Sequence, residues 1–207
     1  MKNRNKKSKK TGNISRRGFL KGAGITAAGT VIAGSGMLSL QAQTAEKDKT
    51  LGPGTINIKM NVNGRIREMN IEPRTTLADA LRNELHLTGT KVGCNRGACS
   101  ACTVWIDGMP VLSCSTLAIE VSDREVITIE GLANNDRIHP LQKTFIEHDA
   151  TQCGFCTPGM IMTGAHLLKN NHLPTEEDVK VALSGNFCRC GTHPKVITAI
   201  LDAASKM

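Results

Sequence analysis

The chain has 207 residues, a length that suits one or two small domains and excludes a large substrate-binding enzyme. Apolar residues make up 40% of the sequence and aromatic residues only 2%, so the core has to be aliphatic or organised around another group. The net charge of +8 comes from residues 1–42, which hold nine Lys or Arg and no acid, whereas the rest holds 17 basic and 18 acidic residues, so we expect no nucleic-acid partner.

Residues 1–45 are predicted to be an export signal. A basic segment leads into Ser-Arg-Arg-Gly-Phe-Leu-Lys at residues 15–21, which resembles the twin-arginine pattern. The apolar run that follows carries five glycines between Gly22 and Leu40, which suits a lipid-spanning helix poorly. The pattern predicts export to the periplasm in the folded state, with thiols available to a metal before they meet an oxidising compartment. Residues 46–54 are predicted to be a polar linker.

Residues 55–131 are predicted to form a small β-grasp domain. Residues 55–71 alternate between apolar and polar types around Asn63-Gly64, a pair typical of a tight hairpin turn. Residues 76–87 have leucines at helical spacing, and residues 89–102 form a loop. A second hairpin turns at Asp107-Gly108 between strands at 103–106 and 111–113, and a last strand is expected at 126–129.

Residues 132–207 are predicted to form a helical domain, which makes the whole protein α+β. Helices are expected over residues 139–149, 158–169, 175–183 and 194–204, and four helices of this length favour a four-helix bundle. Pro158 and Pro194 suit first-turn positions, and Thr175 with Asp178 approximates a capping box.

The eight cysteines fall into two sets of four, one in each predicted domain. The first set has the spacing C-x4-C-x2-C-x11-C, which is the plant-type spacing of a [2Fe–2S] cluster. The intervening loop residues are small, as expected where the backbone has to approach sulfide closely. We expect these metal ligands to be Cys94, Cys99, Cys102 and Cys114.

The second set has the spacing C-x2-C-x31-C-x-C. Spacing alone leaves an iron–sulfur cluster, a zinc site and disulfides open, because four-cysteine zinc sites also use paired cysteines. A C-x-C pair is unusual for zinc ribbons, and the first set favours a second cluster. The expected metal ligands are Cys153, Cys156, Cys188 and Cys190.

The segments around both sets resemble the small iron–sulfur subunit of the xanthine dehydrogenase, or molybdenum hydroxylase, family. The resemblance extends over residues 55–204 and is carried by residues 88–94, 97–104, 152–160 and 183–191. It implies two [2Fe–2S] clusters, a ferredoxin-type domain and a helical [2Fe–2S]-binding domain. The sequence departs from the family at Ser100, where Gly is common, and in Gly-Thr-His-Pro at residues 191–194, which is more similar to exported aldehyde or N-heterocycle oxidoreductases.

The resemblance also implies a place in a larger complex. A large partner subunit would carry the molybdopterin cofactor, and electrons would pass through the helical-domain cluster and then the ferredoxin-domain cluster to a cytochrome c or an FAD subunit. The helical-domain cluster would lie nearest the pterin, with Gln152 and Cys190 close to it. No catalytic residue is expected in this chain. The alternative is a free-standing periplasmic [2Fe–2S] electron carrier.

The other residues that could take part in catalysis or ligand binding are predicted to have structural roles. The histidines are scattered, with only His139 and His148 near ligand spacing. Lys91, Arg96 and Arg189 flank cysteines and could compensate cluster charge or contact a partner. The sequence contains no phosphate-binding loop and no nucleophile–base pair.

Overall fold

A computed structural model of the chain describes Arg17, residues 51–133 and residues 137–207. The export signal predicted at residues 1–45 lies outside the described residues except for Arg17. The two long described ranges belong to one compact unit, Lys49–Met207. None of the helices in those ranges combines the length and apolar character that crossing a lipid bilayer would require.

The first half of this unit is built on a five-stranded mixed sheet. Its strands are β1 (Ile56–Val62), β2 (Arg65–Ile71), β3 (Thr103–Ile106), β4 (Met109–Leu112) and β5 (Glu125–Ile127). They lie in the order β2-β1-β5-β3-β4, with β1 and β5 parallel and the other neighbours antiparallel. The ferredoxin-like part of the predicted α+β fold is confirmed by this sheet.

Both hairpins turn where the sequence predicts. Asn63 and Gly64 have φ values of 53° and 75°, and Asp107 and Gly108 have 50° and 80°. These left-handed conformations match the twist of the flanking strands and are tolerated best by Asn, Asp and Gly. Along β1 the alternate side chains Ile58, Met60 and Val62 are buried, as the apolar alternation indicates.

The helix predicted over residues 76–87 is shorter and less regular. Its first turn, Leu77–Asp79, is α-helical and is capped by the Thr76 hydroxyl, and Ala80–Glu84 continues as a π-turn; together they form α1. The chain then leaves the helix at His86, whose φ is 55°. The predicted strands at 111–113 and 126–129 are likewise displaced to β4 and β5, because residues 113–115 and 129–131 each form a 3₁₀ turn.

The second half of the unit is helical, and its helices follow the predicted ones closely. They are α2 (Pro140–Glu147), α3 (Thr157–Asn170), α4 (Glu176–Ala182) and α5 (His193–Ser205). Pro158 and Pro194 lie in first turns, and Thr175 and Asp178 form the predicted capping box. The helices share a core with Leu141, Met160, Leu168 and Ile200 fully buried.

Trp105 joins the two halves. This strand residue is 7% exposed, and its side chain belongs to the core of the helices rather than to that of the sheet. Its indole N–H donates to the carbonyl of Met162 in α3 at 3.0 Å. Buried indole groups usually find such a partner, and the bond fixes the orientation of the sheet against α3.

Candidate metal centres

The first set of cysteines lies on the loop between α1 and β3 and just after β4. The Sγ atom of Cys94 accepts a hydrogen bond from the backbone N–H of Ala98 at 3.2 Å. The Sγ atom of Cys114 accepts one from the N–H of Gly97 at 3.4 Å. Backbone donors aimed at sulfur stabilise thiolates, so the loop is shaped to hold negative charge.

Left-handed residues produce this loop geometry. Asn95, Gly97 and Ser100 have φ values of 50°, 70° and 56°. Such conformations favour glycine and cost a non-glycine residue about 1 kcal/mol or more. The loop therefore requires a left-handed backbone conformation at Ser100 as well as a small side chain.

The four thiols of the first set stand as two pairs. The Cys94 and Cys99 thiols lie close enough for one to affect the pKa of the other, and so do those of Cys102 and Cys114. The N–H groups of Ala98 and then Arg96 are the main cause of a Cys94 pKa lowered to about 6. Burial is the main cause of a Cys102 pKa raised to about 11.

The second set lies where two helices begin. Cys156 is the N-terminal capping residue of α3, and Cys188 and Cys190 precede Thr192, the corresponding residue of α5. A helix N-terminus carries partial positive charge and N–H groups without helical partners. The beginnings of α3 and α5 therefore favour negative charge on nearby sulfurs, although burial outweighs this effect at Cys156.

These thiols are also paired. The Sγ atoms of Cys153 and Cys190 lie 3.5 Å apart. The Cys156 and Cys188 thiols lie close enough for each to affect the pKa of the other. Burial raises the pKa of Cys156 to about 12. Burial also acts to raise the pKa of Cys188, but the hydroxyl and N–H of Thr192 and other donors lower it to about 6.

The pairing fits a two-iron cluster. Across residues 51–133 and 137–207, no three His, Cys, Asp or Glu side chains are grouped around a single point as ligands of one metal ion would be. Four cysteines arranged as two pairs suit a [2Fe–2S] cluster, in which two irons share four thiolates. In that arrangement Cys94, Cys99, Cys102 and Cys114 would hold one cluster, and Cys153, Cys156, Cys188 and Cys190 would hold the other.

A direct hydrogen bond connects the two sets. The N–H of Phe187, next to Cys188, donates to the carbonyl of Cys99 at 3.2 Å. The side-chain amide of the neighbouring Asn186 donates to the carbonyl of Ser100 at 3.5 Å. These two hydrogen bonds, to the carbonyl groups of the neighbouring residues Cys99 and Ser100, hold the first cysteine loop against the second.

A tight backbone contact lies beside this connection. A methyl group placed on Gly159, in the first turn of α3, would lie 2.1 Å from the carbonyl oxygen of Ser100. Only glycine fits here without movement of the first cysteine loop.

The second set is the more open to solvent. Cys153 and Gln152 are exposed, whereas Cys102 and Cys114 of the first set are buried. Phe155 and Phe187 are 47% and 62% exposed. Phe155 is two residues after Cys153 and Phe187 is next to Cys188, and we call these two exposed aromatic side chains the aromatic patch.

The remaining candidates have local roles. Lys91 donates to the carbonyl of Thr88, and Arg189 is exposed between its two cysteines. His139 caps α2 by accepting from the N–H of Leu141, whereas His148 contacts Asp202, so the two histidines share no site.

Sequence reasoning missed Thr192. Its hydroxyl lies 3.1 Å from the Sγ atom of Cys188. The signal that could have found it is its place immediately before the helix start marked by Pro194.

Two family models match adjacent parts of the chain. Residues 60–132 match the 2Fe-2S iron-sulfur cluster binding domain, and residues 128–201 match the [2Fe-2S] binding domain. The first range contains most of the sheet and the first cysteine set, and the second contains most of the helical half and the second set.

Curated proteins and solved structures extend this similarity. The chain is 37% identical to the aldehyde oxidoreductase iron-sulfur-binding subunit PaoA of Escherichia coli, over 94% of this chain and 90% of the relative. It is 46% identical to the nicotine 6-hydroxylase small subunit of Paenarthrobacter nicotinovorans, over 73% of this chain and 92% of the relative. Among solved structures, the quinoline 2-oxidoreductase of Pseudomonas putida 86 matches with a TM-score of 0.71 and 43% identity, over 73% of this chain and 94% of that one. The aldehyde oxidoreductase of Desulfovibrio gigas matches with a TM-score of 0.68 and 39% identity, over 72% of this chain but only 17% of that one.

Proposed function

Because the chain belongs to the family of small iron–sulfur subunits of molybdenum hydroxylases, we propose that it carries electrons through two [2Fe–2S] clusters between a large molybdopterin-binding subunit and an acceptor. The large subunit would oxidise an aldehyde or an N-heterocycle. When bound, the clusters supply one-electron redox chemistry, and this chain supplies their ligands, their spacing and their electrostatic environment.

The proposal rests above all on the two sets of paired thiols joined by one hydrogen bond. Each set offers the four thiolates that a [2Fe–2S] cluster needs. The bond from Phe187 to Cys99 gives a short route between them through Cys188 and one peptide group. Electron transfer requires such proximity between its sites, whereas structural zinc sites have no need of it.

We propose that the large subunit covers the aromatic patch and the exposed thiol of Cys153. Aromatic residues are enriched at protein interfaces, and burial there would exclude water from the second cluster. Gln152 and Cys190 would then lie closest to the molybdopterin. The first cluster, whose ligands Cys102 and Cys114 are buried, would pass electrons onward to a cytochrome c or an FAD subunit.

Export is the second part of the proposal. The leader at residues 1–45 would direct the folded, cluster-loaded chain to the periplasm by the twin-arginine route. Cluster loading before export would keep the paired thiols from forming disulfides in that oxidising compartment.

Metal analysis of the purified chain tests the function. We expect about four irons and about four acid-labile sulfides per chain, with two reduced-state EPR signals. Replacing Cys99 with Ser should remove one signal, and replacing Cys156 with Ser should remove the other, because the two sets share no residue. Bound zinc, or iron without labile sulfide, would refute the proposal. Full clusters in a chain that never associates with a large subunit would favour the free-standing carrier instead.

A further inference from the structure

Thr192 occupies an unusual position at the start of α5. It is the capping residue of the helix and is only 3% exposed, yet its side chain makes no capping hydrogen bond. The backbone carbonyl of Thr192 accepts the first helical hydrogen bond, from the N–H of Val196 at 3.0 Å. The hydroxyl lies instead 3.1 Å from the Sγ atom of Cys188.

The direction of this hydrogen bond follows from the chemistry of a bound cysteine. A cysteine that ligates iron is a thiolate without a proton, so only the Thr192 hydroxyl can donate. In the first set, the nearest comparable contact is longer, with the hydroxyl of Ser115 at 3.6 Å from the Sγ atom of Cys114.

We propose that Thr192 raises the reduction potential of the helical-domain cluster by donating its hydroxyl hydrogen bond to Cys188. This inference rests on the proposed function, since it requires a [2Fe–2S] cluster at the second cysteine set. Reduction adds one electron and no proton to the cluster, so its thiolates become more negative. A buried donor stabilises that reduced state more than the oxidised state, and hydrogen bonds to sulfur are among the factors that set cluster potentials.

The consequence concerns electron entry. The helical-domain cluster is the one that would receive electrons from the large subunit, each leaving the molybdopterin site singly. A higher potential makes that transfer more favourable. Thr192 is thus a tuning residue that acts through Cys188 and touches no substrate.

The test compares four variants of the full-length chain isolated from its native host, the fourth being Thr192→Ala. Thr192→Val removes the hydroxyl while preserving the shape, and Thr192→Ser keeps the hydroxyl. Thr198→Val is the matched control, because Thr198 is an exposed α5 residue whose hydroxyl donates to the carbonyl of Pro194. Redox titration followed by EPR measures the midpoint potential of each cluster separately.

We expect Thr192→Val to hold both clusters and to show, at the wild-type midpoint, a ratio of reduced to oxidised helical-domain cluster that is about tenfold lower. For a one-electron couple, that ratio corresponds to a fall of about 59 mV. Thr192→Ser and Thr198→Val should stay near the wild-type midpoint, and the ferredoxin-domain cluster should not change in any variant.

Other outcomes overturn the inference. An unchanged helical-domain potential in a fully loaded Thr192→Val protein would do so, as would an equal shift of both clusters. Thr192→Ala is a second variant that removes the hydroxyl, and its smaller side chain cannot clash with neighbouring atoms. If both variants lose the helical-domain cluster, Thr192 is needed for assembly and not for tuning. Absence of a [2Fe–2S] cluster from the wild-type helical domain would instead refute the proposed function.

Discussion

Replacing Gly159 with Ala should separate the two cysteine sets without touching a cysteine. The added methyl group would lie 2.1 Å from the carbonyl oxygen of Ser100 and 3.0 Å from the Cα atom of Ala101. Ordinary van der Waals contact begins at 3.4 Å, so the shorter distance is well over 1 Å too short. Both contacts are with backbone, so the first cysteine loop has to move away from α3.

The magnitude follows from two opposing effects. Alanine is the better helix former, by at most about 1 kcal/mol. Overpacking of this kind costs about 1–3 kcal/mol. Because both clashes are with backbone, we take the upper part of that range, about 2–3 kcal/mol. We therefore expect a net loss of about 1–2 kcal/mol of unfolding free energy, together with a weaker Phe187–Cys99 hydrogen bond.

Gly164→Ala in the same helix is the matched control. Its methyl group would lie 3.0 Å from Ile200 and 3.1 Å from Leu141, both at the ends of side chains that can rotate. The loss in this variant should be smaller. Urea unfolding of the cluster-loaded chains, followed by far-ultraviolet circular dichroism and by cluster absorbance, gives the comparison.

Equal stability of the two variants would refute this reasoning, provided both retain their clusters. It would mean that the loop and α3 separate without cost and that the close contact at Ser100 does not hold the cysteine sets together. A loss of stability confined to Gly164→Ala would contradict it in the same way.

Further predictions concern the domain contact, acid stability and export. Trp105→Phe should lower the free energy of unfolding by about 1–2 kcal/mol in urea titrations, since it loses a buried hydrogen bond and some contact area; an unchanged value would contradict the role of the indole N–H. The pKa of Asp202 is lowered from 3.8, chiefly by Lys206, so its stabilising effect is present above that pH and is lost as the pH falls through the lowered pKa. Asp202→Asn should therefore be less stable than wild type at pH 7, and thermal melts should converge in stronger acid; a constant difference would exclude this linkage. Replacing Arg16 and Arg17 with Lys should leave cluster-loaded precursor in the cytoplasm, as measured by fractionation with iron analysis; loaded protein in the periplasm would overturn the leader assignment.

Local signals predict local structure well in this chain. Asn63-Gly64 has to form a tight turn because few other residue pairs adopt two left-handed conformations. Pro158 and Pro194 mark helix starts because proline lacks the N–H that a helix interior requires. The cysteine spacing is also a local signal, because three ligands of the first set come from one short loop. It therefore identifies the candidate ligands directly.

Contacts between distant segments were beyond the same reasoning. Asn186 and Ser100 are separated by 86 residues, and Trp105 and Met162 by 57, so no periodicity links them. The irregular end of α1 was missed because its leucine spacing fits a helix, whereas the chain turns away at His86. The division of the thiols into pairs depends on how the loops fold together and cannot be read from spacing.

The strand order has a consequence for how the chain folds. Strand β5 lies between β1 and β3, although it is the last strand of the sheet along the chain and only three residues long. Its partner residues in β1, Asn61 and Val62, come before the entire first cysteine loop. Until Ile127 has been synthesised, β1 and β3 have no strand between them, and such non-local pairing forms slowly. The growing chain therefore passes through a stage in which the cysteine loop is complete while the sheet beneath it is still open.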